Sequence, residues 1–353
     1  MGKYNEPEIT IAIVLYNSEK YIRQTLLSAL EQSFNLPYEI LIVNNCSTDK
    51  TIEIVNEISE ANPRGNIIRI MNEPSNLGPG PARNDAIHNA KGKYFLFLDS
   101  DDYISPDCLQ LLYEKAEKTN AEFTVGSHEW FDDESGEIKR KVTLRDEVYE
   151  NPAVGVKMFE HNVPMQIEMW NILFRTSFMR QHDIHYEHRI MEEYLFDLQL
   201  RAEATKAATL SKCTLHYRVH PKSVVTSFAA RQITEQEIAM FCDIINRMRQ
   251  LVEERYFDIE GIYDLYLCRV IWVFENLMRS SLSDMQWNSI GESIKGFIKI
   301  IPSIGCISTI RRRFIFWFAG NHERVERMAQ AIRIVNSPMG KRVFWMLEKI
   351  GLQ

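Results

Sequence analysis

With 353 residues, the chain is too long for one small core, so its length predicts one large domain and a second, smaller one. Hydrophobic residues make up 45% and charged residues 25%, a composition typical of soluble globular proteins. The net charge of −7 argues against general nucleic-acid binding, and the sequence has no apolar run of about 18 residues that would predict a transmembrane helix.

Charge is distributed unevenly along the chain. From residue 295 to residue 353 the sequence carries 11 Lys and Arg against 3 Glu, whereas the preceding part is acidic. A basic tail of this kind favours an anionic neighbour, such as the surface of a membrane that contains acidic lipids.

The cysteines and the amino terminus predict a cytoplasmic protein. The six cysteines are scattered without a C-x-x-C pair and lie mostly in apolar patterns, which is typical of reduced core residues. They are Cys46, Cys108, Cys213, Cys242, Cys268 and Cys306. Residues 1–8 form a charged leader that runs straight into a strand, so this part of the sequence lacks the apolar core of a signal peptide.

The first hundred residues alternate between strand and helix patterns. Aliphatic runs predict strands at residues 9–15, 39–43 and 67–71, and apolar periodicity predicts helices at residues 19–32, 52–58 and 82–90. This alternation is typical of βαβ units with right-handed crossovers, hence of a largely parallel sheet flanked by helices. Ligands of such sheets bind beyond the carboxyl ends of the strands, where we expect Asn45, Arg83 and Asp101 to converge.

The next strand, residues 94–98, is a continuous apolar run that predicts a central strand buried on both faces. It stops at four polar residues, and strand alternation would put Asp99 and Asp101 on one side and Ser100 and Asp102 on the other. Two nearby carboxylates repel by about 1 to 4 kcal/mol, depending on the dielectric, so a cation such as Mg²⁺ or Mn²⁺ between them is expected. The alternative is a solvated turn that caps the following helix, with Ser105 as N-cap.

Four motifs follow one another in this part of the chain: residues 11–17, residues 39–49, residues 76–84 and residues 98–102. Together they resemble the ordered signatures of family 2 glycosyltransferases. One short acidic turn is weak evidence, whereas four motifs in order form a specific signal. The resemblance implies an α/β fold of the GT-A type, a nucleotide-sugar-binding sheet flanked by helices, over residues 1–230. It also implies a nucleotide-sugar donor, a bound Mn²⁺ or Mg²⁺ and inversion at the anomeric carbon.

The resemblance also implies roles for individual residues. Asp101 matches the metal-binding position, and Asp99 matches a position that reaches the metal or the ribose. The donor-binding positions are Leu15, Tyr16, Asn17, Asn45, Gly78, Arg83, Asp99 and Ser100. Asn45 stands where many relatives carry an Asp that faces uracil, and because an amide both donates and accepts hydrogen bonds, the base stays open. A plain turn at Asn45 and a surface salt bridge at Arg83 are the structural alternatives.

The acceptor half of the resemblance supplies the candidate base. A strand is predicted at residues 121–127 and an exposed hairpin turn at residues 132–136, and residues 169–175 resemble the family's acceptor-side strand. Residues 191–196 resemble its acidic motif at a helix start, whose second acid serves as general base. That residue is Glu193 here, one methylene longer than the usual Asp; Glu192 and Asp197 are the alternatives, as is a purely structural role in stabilising the helix dipole.

The segment 215–223 resembles the end of the catalytic domain, where a histidine often completes the metal site. His220 is our candidate metal ligand, with His216 behind it. Alternation along a strand predicts that His216, Arg218 and His220 share one side and face the donor pocket. The alternative is a structural histidine that only forms hydrogen bonds.

Residues 231–353 form a C-terminal region with helical periodicity, to which the resemblance does not extend. Near its end, residues 311–318 join three arginines to five aromatic or aliphatic neighbours in one run. This run predicts contact with the inner face of the cell membrane, while a dimer contact or ordinary packing of a helix are the alternatives.

The sequence thus predicts a cytoplasmic, metal-dependent, inverting glycosyltransferase that acts on a glycan or a lipid-linked saccharide. One alternative is a catalytically idle subunit that binds carbohydrate or a partner. Another is a nucleotidyltransferase, which usually needs a glycine-rich basic loop after the first strand that residues 15–18 lack.

Overall fold

A computed structural model of the protein describes residues 6–160, 163, 168–187, 193–220, 234–262, 265, 266 and 269. The chain divides into two compact units, Met1–His220 and Pro221–Gln353. The domain boundary predicted at residue 230 lies outside the described residues and stays a prediction.

Four parallel strands form one half of a mixed sheet in the first unit. In the order β3, β2, β1, β4 they are Ile68–Asn72, Tyr38–Asn44, Ile9–Leu15 and Tyr94–Phe97. Helices α1 (Ile22–Leu30), α2 (Thr51–Ala61) and α3 (Pro79–Asn89) connect them. Because helices cover both faces, β1, β2 and β4 are almost wholly buried, which explains their continuous apolar sequences.

The second half of the sheet contains both parallel and antiparallel strands, whereas the sequence predicts a largely parallel sheet. Its strands are β5 (Tyr103–Ile104), β6 (Phe123–Asp132), β7 (Ile138–Val142), β8 (Val148–Glu150), β9 (Ile172–Arg175) and β10 (Lys206–Val219). Strand β9 runs antiparallel to both β4 and β6, whereas β6 and β10 are parallel. The order β3-β2-β1-β4-β9-β6-β10-β5 leaves β4 in the interior of the sheet, as predicted.

Helices on the two faces of the sheet build two hydrophobic clusters. One face of β1, with Ile11 and Ile13, packs with α1, α2 and α4 (Cys108–Thr119). The other face of the sheet, with Phe95, packs with α3, α5 (Val154–Glu160), α6 (Thr176–Gln181) and α7 (Glu193–Glu203). The rings of Phe95 and Phe174 stack at 5.1 Å across β4 and β9. Alternating strand residues therefore supply both cores.

Helix α1 begins later than the sequence predicts. The prediction starts the helix at residue 19, whereas the structure starts it at Ile22 with Tyr21 as N-cap. The Ser18 hydroxyl lies 2.6 Å from that of Ser100, so it joins the end of β1 to the acidic turn.

Helices α3 and α4 also differ from prediction at their starts. Helix α3 begins three residues early because Pro79 suits a first helical position and Gly78 adopts φ +90°, a conformation that favours glycine. The N-cap of α4 is Asp107 and not Ser105. The Ser105 hydroxyl donates to the carbonyl of Cys213 at 3.0 Å.

In the second unit, α8 (Glu235–Glu254) confirms the helical periodicity predicted for that stretch. Thr234 and Glu237 form a capping box at its start. Its buried apolar face includes Ile238, Phe241, Ile245 and Met248. The run 311–318 and the basic tail lie outside the described residues. Among the helices that the structure describes, none has the length and apolar character needed to cross a membrane.

Candidate active site

The acidic segment after β4 folds into a tight turn and does not continue the strand. The N–H of Asp102 donates to the carbonyl of Asp99 at 3.2 Å and closes the turn. The hydroxyl of Thr25 on α1 donates to the carbonyls of Ser100 and Asp102, at 3.0 Å and 2.7 Å. Helix α1 therefore fixes the backbone from which the acidic side chains project.

The carboxylates of the turn separate into one buried group and two accessible ones. Asp102 is fully buried, and its Oδ1 accepts from the N–H of Arg218 at 2.7 Å. Burial, followed by the charges of Asp101 and Asp99, raises the pKa of Asp102 well above its usual range. The side chains of Asp99 and Asp101 keep 32% and 33% of their surface exposed. Asp99 and Asp101 are thus the carboxylates of the turn that solvent reaches.

Asp101 contacts the predicted histidine ligand directly. Its Oδ2 lies 2.9 Å from Nε2 of His220, which is buried at the end of β10. The ring of His220 also packs against that of Tyr21, with centroids 4.9 Å apart. The structure therefore brings together two of the three residues predicted to hold a metal.

Arg83 joins two further predicted site residues. Its guanidinium lies 2.9 Å from the Glu193 carboxylate and 3.1 Å from that of Asp99. Its side chain is only 12% exposed and lies over the ring of Tyr186. The Arg83 guanidinium on α3 therefore joins the acidic turn to the start of α7. Because Arg83 is largely buried and has two carboxylate partners, this contact is not a simple surface salt bridge.

This cluster has a distinct electrostatic character. Partial burial raises the pKa of Asp99, the Arg83 guanidinium opposes this shift, and the carboxylates of Asp101 and Glu193 add to it. Glu193 is the first residue of α7, where the helix dipole stabilises negative charge. Because the carboxylates of this cluster outnumber the Arg83 guanidinium between them, the cluster can accept an additional cation.

The two alternative bases differ in accessibility. Glu192 lies outside the described residues. Asp197 lies one turn into α7, fully buried, and its carboxylate accepts from Arg201 Nε at 2.6 Å. Because Asp197 is not presented to solvent, Glu193 is the described carboxylate of this motif that a substrate can reach.

The end of β1 forms the rim of the cluster. Leu15 is buried, Tyr16 is 52% exposed, and Asn17 adopts φ +50°. The Asn17 side chain accepts from the N–H of Thr48 at 2.8 Å and so ties the loop after β1 to the loop after β2. Tyr16 is therefore the part of this motif that offers an open aromatic surface.

Asn45 holds a neighbouring loop. Its Oδ1 accepts from the N–H of Leu77 at 3.0 Å, and its Nδ2 donates to Asn76 at 3.2 Å. Next in that loop, Gly78 turns the chain into α3. The buried Asn45 side chain therefore holds the loop that leads into α3, and its predicted contact with a nucleobase stays a prediction.

Comparison with known proteins fits this arrangement. The sequence model of the family described as Glycosyl transferase family 2 matches residues 10–185, which run from β1 to the loop after α6. The chain belongs to this family.

Two relatives show how far the family likeness extends. The glycosyltransferase GlyA of Streptococcus pneumoniae is 29% identical over 290 residues, which cover 79% of this chain and 39% of GlyA. An uncharacterised glycosyltransferase of Haemophilus influenzae is 37% identical over 141 residues, which cover 40% of this chain and 55% of that protein. The family 2 chain thus spans between two fifths and just over half the length of these relatives.

A solved structure shows the same fold. The crystal structure of Staphylococcus aureus TarS 1-349 in complex with UDP-GlcNAc aligns with a TM-score of 0.63 and 20% identity, over 83% of this chain and 81% of that one. The predicted fold class, a GT-A sheet flanked by helices, is therefore confirmed for this family 2 protein.

The prediction that His216, Arg218 and His220 all face the donor pocket at the acidic turn is wrong for His216. His216 and Arg218 lie on β10 and His220 directly follows the strand, but of these three only Arg218 and His220 contact the acidic turn. Arg218 donates from Nε to the carbonyl of Asp101 at 2.7 Å. His216 instead stacks on Tyr103 at 4.4 Å. Four residues of strand span about 13 Å, so the two histidines have different surroundings.

A cluster around Asp133, next to the candidate site, was not predicted from the sequence. Asp133, in the predicted exposed hairpin turn, lies 2.7 Å from Arg218, 2.6 Å from Lys20 and 3.0 Å from the Tyr21 hydroxyl. Burial opposes its ionisation, but hydrogen bonds from Lys20, Arg218 and Tyr21 hold the pKa of Asp133 at about 2. Its partners lie far away in sequence, so the local pattern around Asp133 contains no signal of this contact.

Proposed function

We propose that this family 2 protein transfers a sugar from a nucleotide-sugar donor to a glycan or a lipid-linked saccharide, with inversion at the anomeric carbon. The observation that carries the proposal is the meeting of Asp99 and Glu193 at Arg83. The candidate donor end and the candidate base are thereby adjacent, although 94 positions separate the two carboxylates in the sequence. An inverting transfer needs this adjacency, because the acceptor attacks the carbon that the diphosphate leaves.

The residues present fit a divalent cation. Asp99 and Asp101 are partly exposed, the charge of Asp101 raises the pKa of Asp99, and His220 adds an imidazole beside Asp101. Carboxylate oxygens with an imidazole suit Mn²⁺, and carboxylates with phosphate oxygens suit Mg²⁺. A bound cation would offset the charge of the departing diphosphate. We therefore assign Asp99, Asp101 and His220 to a Mn²⁺ or Mg²⁺ site.

The donor is proposed to lie along the carboxyl ends of β1, β2 and β4. The ligand of the TarS structure is a nucleotide sugar, which supports the same donor class here. Tyr16 offers an exposed ring for the base, and Gly78, without a side chain, lets the backbone approach the donor. Ser100, held by Ser18, lies within the same turn as the acidic pair.

Glu193 is proposed as the general base. It would accept the proton of the acceptor hydroxyl as that oxygen bonds to the anomeric carbon and the nucleoside diphosphate leaves from the opposite face. Arg83 holds the carboxylate 2.9 Å away and so orients it. Such a base contributes about 10²- to 10⁴-fold to the rate.

The setting of the reaction is proposed from the sequence. A lipid-linked acceptor places the protein at the inner face of the cell membrane, where arginines 311–313 each add about 1 kcal/mol of attraction to acidic lipid. Changing all three to Gln is expected to weaken binding of the full chain to acidic vesicles by about 100-fold, with transfer to a soluble acceptor retained. Equal vesicle binding by both proteins would remove the membrane contact from the proposal.

Donor turnover tests the central assignment. Purified protein with Mn²⁺ is expected to hydrolyse or transfer one of a panel of nucleotide sugars, and Asp101→Ala is expected to lose that activity with an unchanged circular dichroism spectrum. Asp107→Ala is the matched control, since Asp107 is an exposed acid on the neighbouring helix whose side chain makes no capping bond.

Other outcomes would favour the rival functions. Full turnover by Asp101→Ala would contradict the metal assignment. Binding of a nucleotide sugar without hydrolysis or transfer to any acceptor would indicate an idle binding subunit. Release of pyrophosphate from a nucleoside triphosphate and a sugar phosphate would indicate nucleotidyl transfer.

A further inference from the structure

A second group of metal-ligating side chains lies on β6 and β10, away from the acidic turn. The ligand atoms of Glu129, Cys213 and His216 all lie within 4.8 Å of one another, and each residue is half-buried. Among the described residues, these three form the group of His, Cys, Asp and Glu side chains that meets this distance. The set offers one oxygen, one sulfur and one nitrogen.

A β-bulge brings the sulfur to the face that carries the other two ligands. Residues three apart in a regular strand point to opposite faces, so Cys213 and His216 should diverge. The observed register is Cys213↔Ser127, Leu215↔His128 and His216↔Glu129. One extra residue, Thr214, therefore interrupts the pairing and turns Cys213 toward His216. Bulges of this kind commonly re-aim a side chain at a functional position.

The two ring nitrogens of His216 have different partners: Nε2 contacts Ser105, and Nδ1 faces Glu129. Its Nε2 lies 3.1 Å from the Ser105 hydroxyl, and its Nδ1 lies 2.9 Å from Glu129 Oε1. Because the Ser105 hydroxyl donates to the carbonyl of Cys213, it accepts from Nε2–H. Histidines that bind metals use such an outer hydrogen bond to fix the ring and its tautomer. The position between Nδ1 and Oε1 is then open to either a proton or a cation.

We propose that Glu129, Cys213 and His216 bind a Zn²⁺-type cation, with a water molecule as the fourth ligand. A thiolate, an imidazole and a carboxylate match the ligands that zinc accepts, whereas Mg²⁺ and Mn²⁺ prefer oxygen ligands. Binding replaces the thiol proton of Cys213 and any proton on Nδ1 of His216, and both are released to solvent. Neither the metal nor the ligands change oxidation state.

The surroundings are compatible with such an ion. The second oxygen of Glu129 lies 3.3 Å from the exposed Lys141, which leaves Oε1 for the ion. A cavity of about 570 Å³ between α1 and β5 is lined by Ser105 and His216 and opens a path to this histidine.

The proposed zinc site is independent of the proposed donor site. Its residue His216 lies about 13 Å along β10 from His220, and its ligands are softer than the carboxylates at the turn. Zinc here would tie β6 to β10 at the bulge, which predicts a gain in stability without a role in the transfer reaction.

Cobalt provides the direct test, because a thiolate bound to Co²⁺ gives a near-ultraviolet charge-transfer band. The full-length protein, stripped with chelator, is expected to develop this band with one equivalent of Co²⁺ and to lose it when Zn²⁺ is added. Cys213→Ser is expected to abolish the band, and the matched control Cys46→Ser, another half-buried free cysteine, is expected to retain it. Asp101→Ala should also retain it, which separates this site from the donor site.

Three further variants keep the test valid should Cys213→Ser fold poorly. Glu129→Gln and His216→Asn each remove one ligand and are expected to weaken Zn²⁺ binding by at least about tenfold, while Ser105→Ala weakens it about 10- to 100-fold through the outer hydrogen bond. Zn²⁺ is expected to raise the melting temperature of the unmodified protein, of Cys46→Ser and of Asp101→Ala by similar amounts, and that of the variants that lack a ligand by less. Absence of the band in the unmodified protein, or its persistence in a folded Cys213→Ser protein, would overturn the proposal.

Discussion

At the scale of single residues, Arg83 decides the geometry of the site. It bridges Asp99 and Glu193 with two different nitrogens, which a planar guanidinium can do and a lysine ammonium cannot do with the same geometry. We expect Arg83→Lys to lower kcat for sugar transfer by roughly 10- to 100-fold, because both carboxylates lose their common orientation. Steady-state kinetics with saturating donor measures this change.

A matched arginine provides the control for that variant. Arg23 pairs with Glu57 on the exposed surface, with side chains 49% and 64% exposed. Arg23→Lys should leave kcat unchanged. If Arg83→Lys showed full activity as well, the bridge would be a structural contact without a role in catalysis.

Glu193 gives a second prediction at this scale. Glu193→Gln removes the proton acceptor but preserves the size of the side chain, so we expect kcat to fall about 10²- to 10⁴-fold with donor affinity retained. Glu193→Asp, which keeps a carboxylate but is one methylene shorter, should recover part of the rate and the pH dependence. The exposed Glu60→Gln is the control. A Glu193→Gln protein with normal kcat would move the role of base to another carboxylate.

At the scale of elements, the hairpin of β6 and β7 is fastened to α1 and β10 through Asp133. The pKa of Asp133 is about 2 in the folded protein, below its ordinary value of 3.8. A depressed carboxyl pKa stabilises the folded state above the ordinary value, and this stabilisation is lost as the pH falls from about 4 to about 2. We expect Asp133→Asn to cost roughly 1–2 kcal/mol at pH 7, after allowance for the exposed Lys20 partner.

Thermal unfolding of both proteins between pH 2 and pH 7 measures this effect. The difference in melting temperature should shrink as the pH approaches 2, because the unmodified carboxyl is then protonated too. Asp107→Asn, at an exposed position, should show no such trend. A constant difference down to pH 2 would mean that Asp133 acts by packing and not by charge.

The elements also show which features the sequence can predict. Strands β1, β2 and β4 were predictable because a strand that is buried on both faces has a continuous apolar sequence. The four motifs located the acidic turn and Arg83. The mixed half of the sheet was not predictable, since β6 and β10 pair across more than eighty residues. For the same reason the sequence did not reveal the contact of Asp133 with Arg218. The bulge at Cys213 exists only in the pairing of two strands, so it leaves no local pattern.

At the scale of the whole molecule, the chain carries a net charge of −7 and concentrates accessible carboxylates around Asp99, Asp101 and Glu193. A nucleotide diphosphate brings further negative charge, and Arg83 alone does not balance it. We therefore expect donor and divalent cation to bind cooperatively, since each reduces the repulsion that the other meets.

Thermal stability of the full chain tests this cooperativity. A ligand present at 100 times its Kd stabilises the folded protein by about 2.7 kcal/mol, so a bound donor raises the melting temperature. We expect the matching nucleotide sugar to raise it with Mn²⁺ and to have little effect with chelator, and Asp101→Ala to lose the Mn²⁺-dependent part while Asp107→Ala keeps it. Protein free of zinc should be used, because Zn²⁺ at Cys213 would raise the melting temperature by itself. An equal rise with and without Mn²⁺ would show that the donor binds without the cation, and the acidic turn would then need another role.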